Sequence, residues 1–176
     1  MKSDVLRYEL MARFGGVYVD FDMEPVKPLD HLLNRRAFLG RIQPTFQQIV
    51  VQEIEIAVIG SEPGNPFWKH VIRALPAWAE QYKHVGSVAT RTGPQFVQRL
   101  LNSWNGPLPL DLLPANYFYP FRWCEPKQIR PESYAIHHWW GSWVANAQHA
   151  SAPVDAPSRS KRIQRTIRRP LLSESS

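Results

Sequence analysis

Gly15-Gly16-Val17-Tyr18-Val19-Asp20-Phe21-Asp22 is the stretch on which the reading of this chain turns. Its two glycines, which enter left-handed backbone cheaply, stand between an apolar-patterned segment and a run of β-formers. The pattern predicts a helix, a tight turn and a short strand over residues 17–21. Asp20 and Asp22 sit two apart at the end of that strand. Alternate strand positions share a face, so the two carboxylates are expected to converge on one spot. Oxygen donors of this kind suit Mg²⁺ or Mn²⁺, ions that often use one or two protein carboxylates and complete their shell with water and substrate phosphates. Standing alone, an Asp-X-Asp pair is more often a solvated strand end or a cap for the next turn.

The residues before the glycines sharpen the reading. Ser3 is a good N-cap and Asp4 suits the first helical turn, where a carboxylate meets the positive end of the helix dipole. Leu6, Leu10 and Phe14 recur at helical spacing, flanked by Val5 and Met11, and predict the buried stripe. Asp4 and Arg7 are three apart and share a helix face, which the Gly-Gly turn can carry towards the aspartates. A purely local Asp4–Arg7 pair explains them as well.

Downstream, Pro25 and Pro28 stop the strand, and residues 29–33 read as a short turn or helix. The apolar run within 48–59 predicts one or two buried strands, and 60–66 a loop by its turn chemistry. An amphipathic helix is expected over 67–82, bent or broken near Pro76. Thr92-Gly93-Pro94 opens another helix through Leu101, with proline where its missing N–H costs little. Residues 112–121 read as strand and loop, and the aromatic-dense 134–143 as a strand or ordered loop. This order predicts an α/β domain over residues 1–149.

From residue 150 the aromatics vanish and Ser, Pro and Arg take over, so 150–176 is expected to be a disordered basic tail. The chain's net charge is +6, and between Arg159 and Ser176 six positives face only Glu174. The remainder is nearly neutral, so the basic balance does not argue for a nucleic-acid partner, and the tail lacks interleaved aromatics. Cys124 is the only cysteine, which excludes an intrachain disulfide and a multi-thiolate metal site. No apolar run approaches a membrane span and no signal region opens the sequence.

Ser3-Asp4-Val5-Leu6-Arg7-Tyr8, followed by Gly15 to Asp22, resembles the signature of the DXD-containing sugar transferases, which include the Och1-like and inositol-phosphoceramide mannosyltransferases and, more distantly, the large clostridial glucosylating toxins. Pro63 to Trp68, Thr92-Gly93-Pro94, Asn116 to Pro120 and His137-His138-Trp139-Trp140-Gly141-Ser142-Trp143 extend the resemblance. It implies a GT-A fold, Mn²⁺ or Mg²⁺, a nucleoside diphosphate sugar donor, a glycan or glycolipid acceptor, and retention of anomeric configuration. Carried onto matching positions, Asp4 and Arg7 hold donor-sugar hydroxyls and Tyr18 packs at the nucleotide-sugar. Asp20 contacts the ribose or a metal-bound water, and Asp22 binds the ion directly. A residue of the late segment closes the metal shell, and His138 is favoured with Ser142 and Trp143 at the diphosphate. If that segment is extended, His137 and His138 face opposite ways and only one reaches the metal.

Family members carry a further stretch before the Ser-Asp-X-X-Arg-Tyr helix, so the chain is expected to be a partial GT-A domain lacking the first strands of the sheet. The resemblance implies the Golgi for a eukaryotic full-length relative, often membrane-anchored, and the cytoplasm for a bacterial one. The leading function is a metal-dependent retaining hexosyltransferase, possible mannose transfer included, with no catalytic nucleophile assigned. A truncated paralogue that only binds metal or carbohydrate, or needs a partner, is the second reading. A metal-dependent hydrolase is the third. Trp104, Tyr117, Phe118, Tyr119 and Trp123 read as core or, less often, as a sugar-stacking platform.

Overall fold

The computed structural model describes residues 2–43, 53–84, 87–122 and 125–140. They are mixed α/β, the expected class. Helix α1 (Lys2–Arg13) leads through Gly15 and Gly16, both at positive φ, into β1 (Gly16–Val19) and β2 (Met23–Pro25). A 3₁₀ turn at Asp30–Leu32 precedes β3 (Ala37–Arg41) and β4 (Ile54–Ser61). Helices α2 (Pro66–Gln81), α3 (Val88–Arg91) and α4 (Pro94–Asn102) follow, then β5 (Asp111–Leu113), a 3₁₀ turn at Ala115–Tyr117 and β6 (Ala135–His137). No helix among the described residues is long and apolar enough to cross a membrane.

A four-stranded sheet runs β1-β4-β3-β5, with β4 antiparallel to both neighbours and β3 parallel to β5. The two faces of the sheet carry separate cores, and a register shift in β4 opposite Leu39 and Gly40 breaks its alternation there. Leu39, Ile56 and Ile59 face a layer made by Tyr8 and Met11 of α1, Phe67, Trp68 and Val71 of α2, and Phe96 and Val97 of α4. Phe38, Ala57 and Val58 face Phe118, Tyr119, Met23 and Ala135. On this second side β2 and β6 form a separate antiparallel pair in which Met23 opposes His137.

Several expectations change. Helix α1 starts at Lys2, so Ser3 lies inside its first turn, where its carbonyl accepts Arg7 Nε at 3.4 Å, and is not the N-cap. The buried face of α1 is Asp4, Arg7, Tyr8, Met11 and Ala12, while Leu6 is 57% exposed and Phe14 71%. Tyr8 sets that rotation by stacking on the fully buried Trp68 with ring centroids 5.7 Å apart and donating its hydroxyl to Thr92 O. The structure runs α2 as one helix through Pro76, which lies on its exposed side. Asn65 caps it by accepting the Phe67 N–H at 3.0 Å.

β3 was not foreseen, and Gly60 and Ser61, read as loop, finish β4. The sheet needs glycine at 60, because a Cβ there would stand 2.0 Å from Phe38 Cε1 and 2.3 Å from its Cζ. Phe118 and Tyr119 are core, buried to 0% and 2%, and Trp104 packs edge-on against Phe67. The aromatic platform is therefore taken up by packing, with Trp123 outside the described residues. The division at 149/150 and the basic tail also lie outside them; the compact unit ends at Trp140.

Gly60→Ala is expected to cost about 1–3 kcal/mol by overpacking. Urea unfolding should show a lower midpoint at unchanged m-value, and an unchanged midpoint would contradict this packing.

Candidate metal and donor site

Arg7 is the pivot of the site. Its Nη1 donates to Ile56 O at 2.7 Å and to Asp20 Oδ2 at 3.2 Å. Its Nη2 lies 3.1 Å from Asp20 Oδ1 and 3.3 Å from Asp4 Oδ1. The guanidinium therefore grips Asp20 with both arms while holding α1 to β4. Burial works against its charge, but Asp20, Tyr18 and Asp4 more than offset this and raise its pKa. Tyr18 lies flat against it, with Arg7 Cζ 4.6 Å from the ring centroid.

Asp20 is correspondingly saturated. Besides Arg7, its Oδ1 accepts the Tyr18 hydroxyl at 2.6 Å, and its backbone N–H donates to Ala57 O at 2.7 Å. Burial first, then this hydrogen bond, raises the Tyr18 pKa, so the phenol keeps its proton. Asp4 is saturated too, since Thr92 Oγ1 donates to its Oδ2 at 2.6 Å. The Asp4 and Arg7 side chains are only 8% and 6% exposed. As placed, both are engaged by partners within the chain.

Asp22 arrives by a different route from the one expected. The strand ends at Val19, and a turn closed by Met23 N–H to Asp20 O at 3.1 Å follows. The turn, and not strand alternation, brings the two carboxylates together, leaving Phe21 97% exposed. β2 begins directly after Asp22, and its pairing with β6 delivers the late segment. His138 N–H donates to Asp22 O at 3.0 Å and Trp140 N–H to Asp22 Oδ2 at 3.1 Å. Trp139 stands between them at φ +56°, a left-handed value that costs a non-glycine residue roughly 1–3 kcal/mol and that clusters at functional sites.

His137, not the favoured His138, meets the aspartates. Its Nε2 lies 3.2 Å from Asp22 Oδ2, whereas His138 Nε2 turns outward to Glu24 Oε2 at 2.9 Å. The two histidines do face opposite ways, as an extended segment requires. The Trp139 ring covers His137 at a centroid distance of 4.1 Å. Ser142 and Trp143 lie outside the described residues.

Asp20, Asp22 and His137 each offer a ligand atom, all within 4.8 Å of one another. Two carboxylates and an imidazole fit one divalent ion of the Mg²⁺ or Mn²⁺ class. Burial raises the Asp22 pKa, but the His137 hydrogen bond, its charge and the Trp140 N–H together lower it, so the carboxylate stays ionised. Asp4 and Asp20 flank Arg7, and Asp22 adds a third carboxylate close to Asp20, a local excess of negative charge that favours a cation. A neighbouring cavity of about 210 Å³ is walled by Val19, Met23, Pro25, Leu29, Val58, Phe118 and Ala135. Its lining is apolar.

Glu55 was missed. It is half-buried on β4, and its Oε1 accepts the Ile56 N–H at 2.9 Å, beside the carbonyl that holds Arg7. Burial raises its pKa, and Asp20 adds to this, against lowering by the Ile56 N–H, His137 and Arg7. Nothing in the local pattern of Ile54-Glu55-Ile56 marks it as more than a strand residue.

Arg7→Ala leaves Asp4 and Asp20 without their counter-charge and is expected to cost about 3–5 kcal/mol in chemical unfolding. A loss below about 1 kcal/mol would show that the network does not hold the fold. Glu55 holds its proton more tightly folded than unfolded, so its stabilising contribution is full in acid and is lost as pH rises through the raised folded value. Urea unfolding at stepped pH should therefore show Glu55→Gln gaining on the parent as pH rises above about 4. A pH-independent difference would contradict this assignment.

Residues 1–39 match the family described as "Glycosyltransferase sugar-binding region containing DXD motif". The chain is similar to inositol phosphoceramide mannosyltransferase 3 of Schizosaccharomyces pombe, 33% identical over 58% of this chain and 27% of the relative. It is similar to the mannosyl phosphorylinositol ceramide synthases CSH1 and SUR1 of Saccharomyces cerevisiae. CSH1 is 32% identical over 54% of this chain and 24% of its own. SUR1 is 25% identical over 77% of this chain and 31% of its own. The chain thus spans about a quarter to a third of the length of the curated relatives it matches. Among solved structures, the PaToxG glycosyltransferase aligns with a TM-score of 0.42 and 18% identity, over 56% of this chain and 34% of that one, too low to assign a common fold. The matched region and these relatives make residues 1–39 similar to the sugar-binding region of DXD-containing glycosyltransferases, and the chain similar to part of the named mannosyltransferases.

Proposed function

We propose that this chain carries the metal and donor-diphosphate site of a retaining glycosyltransferase that moves a hexose from a nucleoside diphosphate sugar to a glycolipid or glycan. The observation that carries the reading is the pairing of a clamped Asp20 with an ionised Asp22 and His137 around one point. Asp22 and His137 hold Mn²⁺ or Mg²⁺ directly, with Asp20 contacting it or the ribose. An ion bound there offsets the charge that develops on a diphosphate leaving group. Arg7 and Asp4 orient Asp20, Tyr18 flanks the nucleotide-sugar, and Ser142 and Trp143 reach the diphosphate. Retention of configuration and a GT-A architecture follow from the family resemblance. Mannose as the sugar and an inositol phosphoceramide-type lipid as the acceptor are the choices that the names of the relatives favour.

Isothermal titration of the full chain with Mn²⁺ and guanosine or uridine diphosphate tests the site. Binding should be lost in Asp22→Ala and fall at least about tenfold in His137→Ala, with His138→Ala close to the parent. Binding unaffected by Asp22→Ala would sink the reading. Transfer is assayed with radiolabelled nucleotide-mannose and a phosphoinositol lipid. Metal–nucleotide binding without transfer would mean a binding remnant, and hydrolysis without transfer a hydrolase.

A further inference from the structure

Arg122 is buried, with 6% of its surface exposed, and its Nε and Nη2 make no hydrogen bond. The nearby carboxylate of Glu125 is engaged by the backbone N–H of Arg122, at 2.9 Å. Among the described residues no ion pair reaches the guanidinium. The contrast with Arg7 is direct, since that equally buried arginine has its donors matched by two aspartates and two carbonyls. A buried charge with no counter-charge is costly, and unsatisfied buried donors in native proteins are matched by a bound water, ion or ligand, or mark a functional strain.

The two orphaned nitrogens lie on one edge of the guanidinium. Nε–H and Nη2–H project side by side in its plane, the two-point arrangement that matches two oxygens of a phosphate. The chain at this point adjoins the site, because Phe121 O accepts the Trp139 indole N–H at 3.2 Å and the Trp139 ring covers His137. Neither Phe121 nor Arg122 belongs to the metal group.

We propose that Arg122 is an anion-binding residue that takes a phosphate group through its Nε/Nη2 edge, in a subsite separate from Asp22 and His137. An anion of this geometry supplies the counter-charge and both missing acceptors at once. The choice of phosphate over carboxylate rests on the sugar-transfer reading, in which the donor carries a diphosphate and the proposed acceptor a phosphodiester. The existence of an anion site does not rest on it.

The test is thermal unfolding of the full chain in EDTA, titrated with inorganic phosphate, glycerophosphoinositol or guanosine diphosphate, against chloride at matched ionic strength. Phosphate compounds should raise the parent midpoint beyond chloride in a saturable way. Arg122→Met should lose that shift while its ligand-free midpoint stays at or above the parent's, since an unpaired buried charge has been removed. Arg122→Lys keeps the charge without the two-point edge and should bind about tenfold more weakly. Preference for glycerophosphoinositol assigns the subsite to the acceptor, and preference for guanosine diphosphate to the donor. A parent that phosphate does not shift, or an equal shift in Arg122→Met, overturns the proposal. If Arg122→Met does not fold, equal affinity in Arg122→Lys overturns it. Asp22→Ala separates this site from the metal reading: it should leave the EDTA phosphate shift intact whatever becomes of Mn²⁺–nucleotide binding.

Discussion

The guanidinium of Arg7 is the constraint on which the site depends. α1, the residue that follows β1 and the middle of β4 each supply it with an acceptor, which ties the three together at this point. A buried arginine is tolerable when its donors are matched and its charge is offset, and here two carboxylates and the Ile56 carbonyl do both. The same need acts together with the Tyr8–Trp68 stack on the rotation of α1. Facing Asp4 and Arg7 inward forces Leu6 and Phe14 outward, so the helix exposes apolar residues to keep a polar one at the centre.

A second constraint brings the late segment to the aspartates. β2 is only three residues long and starts beside Asp22, so whatever pairs with it is delivered to the motif. β6 pairs with it so that His137 stands opposite Met23, and the left-handed Trp139 then turns the chain back until the Trp140 N–H reaches Asp22. The backbone thus shapes the metal group from both sides, and the strain at Trp139 is the counterpart of that closeness.

How much of this was legible depended on range. Gly15-Gly16 and the Pro94 helix start are local devices and stand where the pattern placed them. Convergence of Asp20 and Asp22 was legible as well, though a turn achieves it. The inward face of α1 was not, because hydrophobic periodicity assumes that the apolar side is the buried side. The choice between His137 and His138 depended on the β2–β6 register, which alternation alone leaves open to a one-residue shift. Glu55 and Arg122 owe their character to burial by distant segments, and no neighbour in sequence signals it.

The two aspartates of the motif end in unlike environments, and that difference divides their labour. Asp20 has Arg7 on both oxygens and the Tyr18 hydroxyl on one, so it is rigid and electrically offset. Asp22 is met by an imidazole and one backbone N–H, both on Oδ2. An ion approaching from solvent displaces little at Asp22 and would have to compete with a guanidinium at Asp20. On the proposed reading the direct ligand is the second aspartate, with the first held as a fixed charge beside it. Preorganisation of this kind fixes the two carboxylates and the imidazole relative to one another, as the proposed joint binding of a cation and a diphosphate would require.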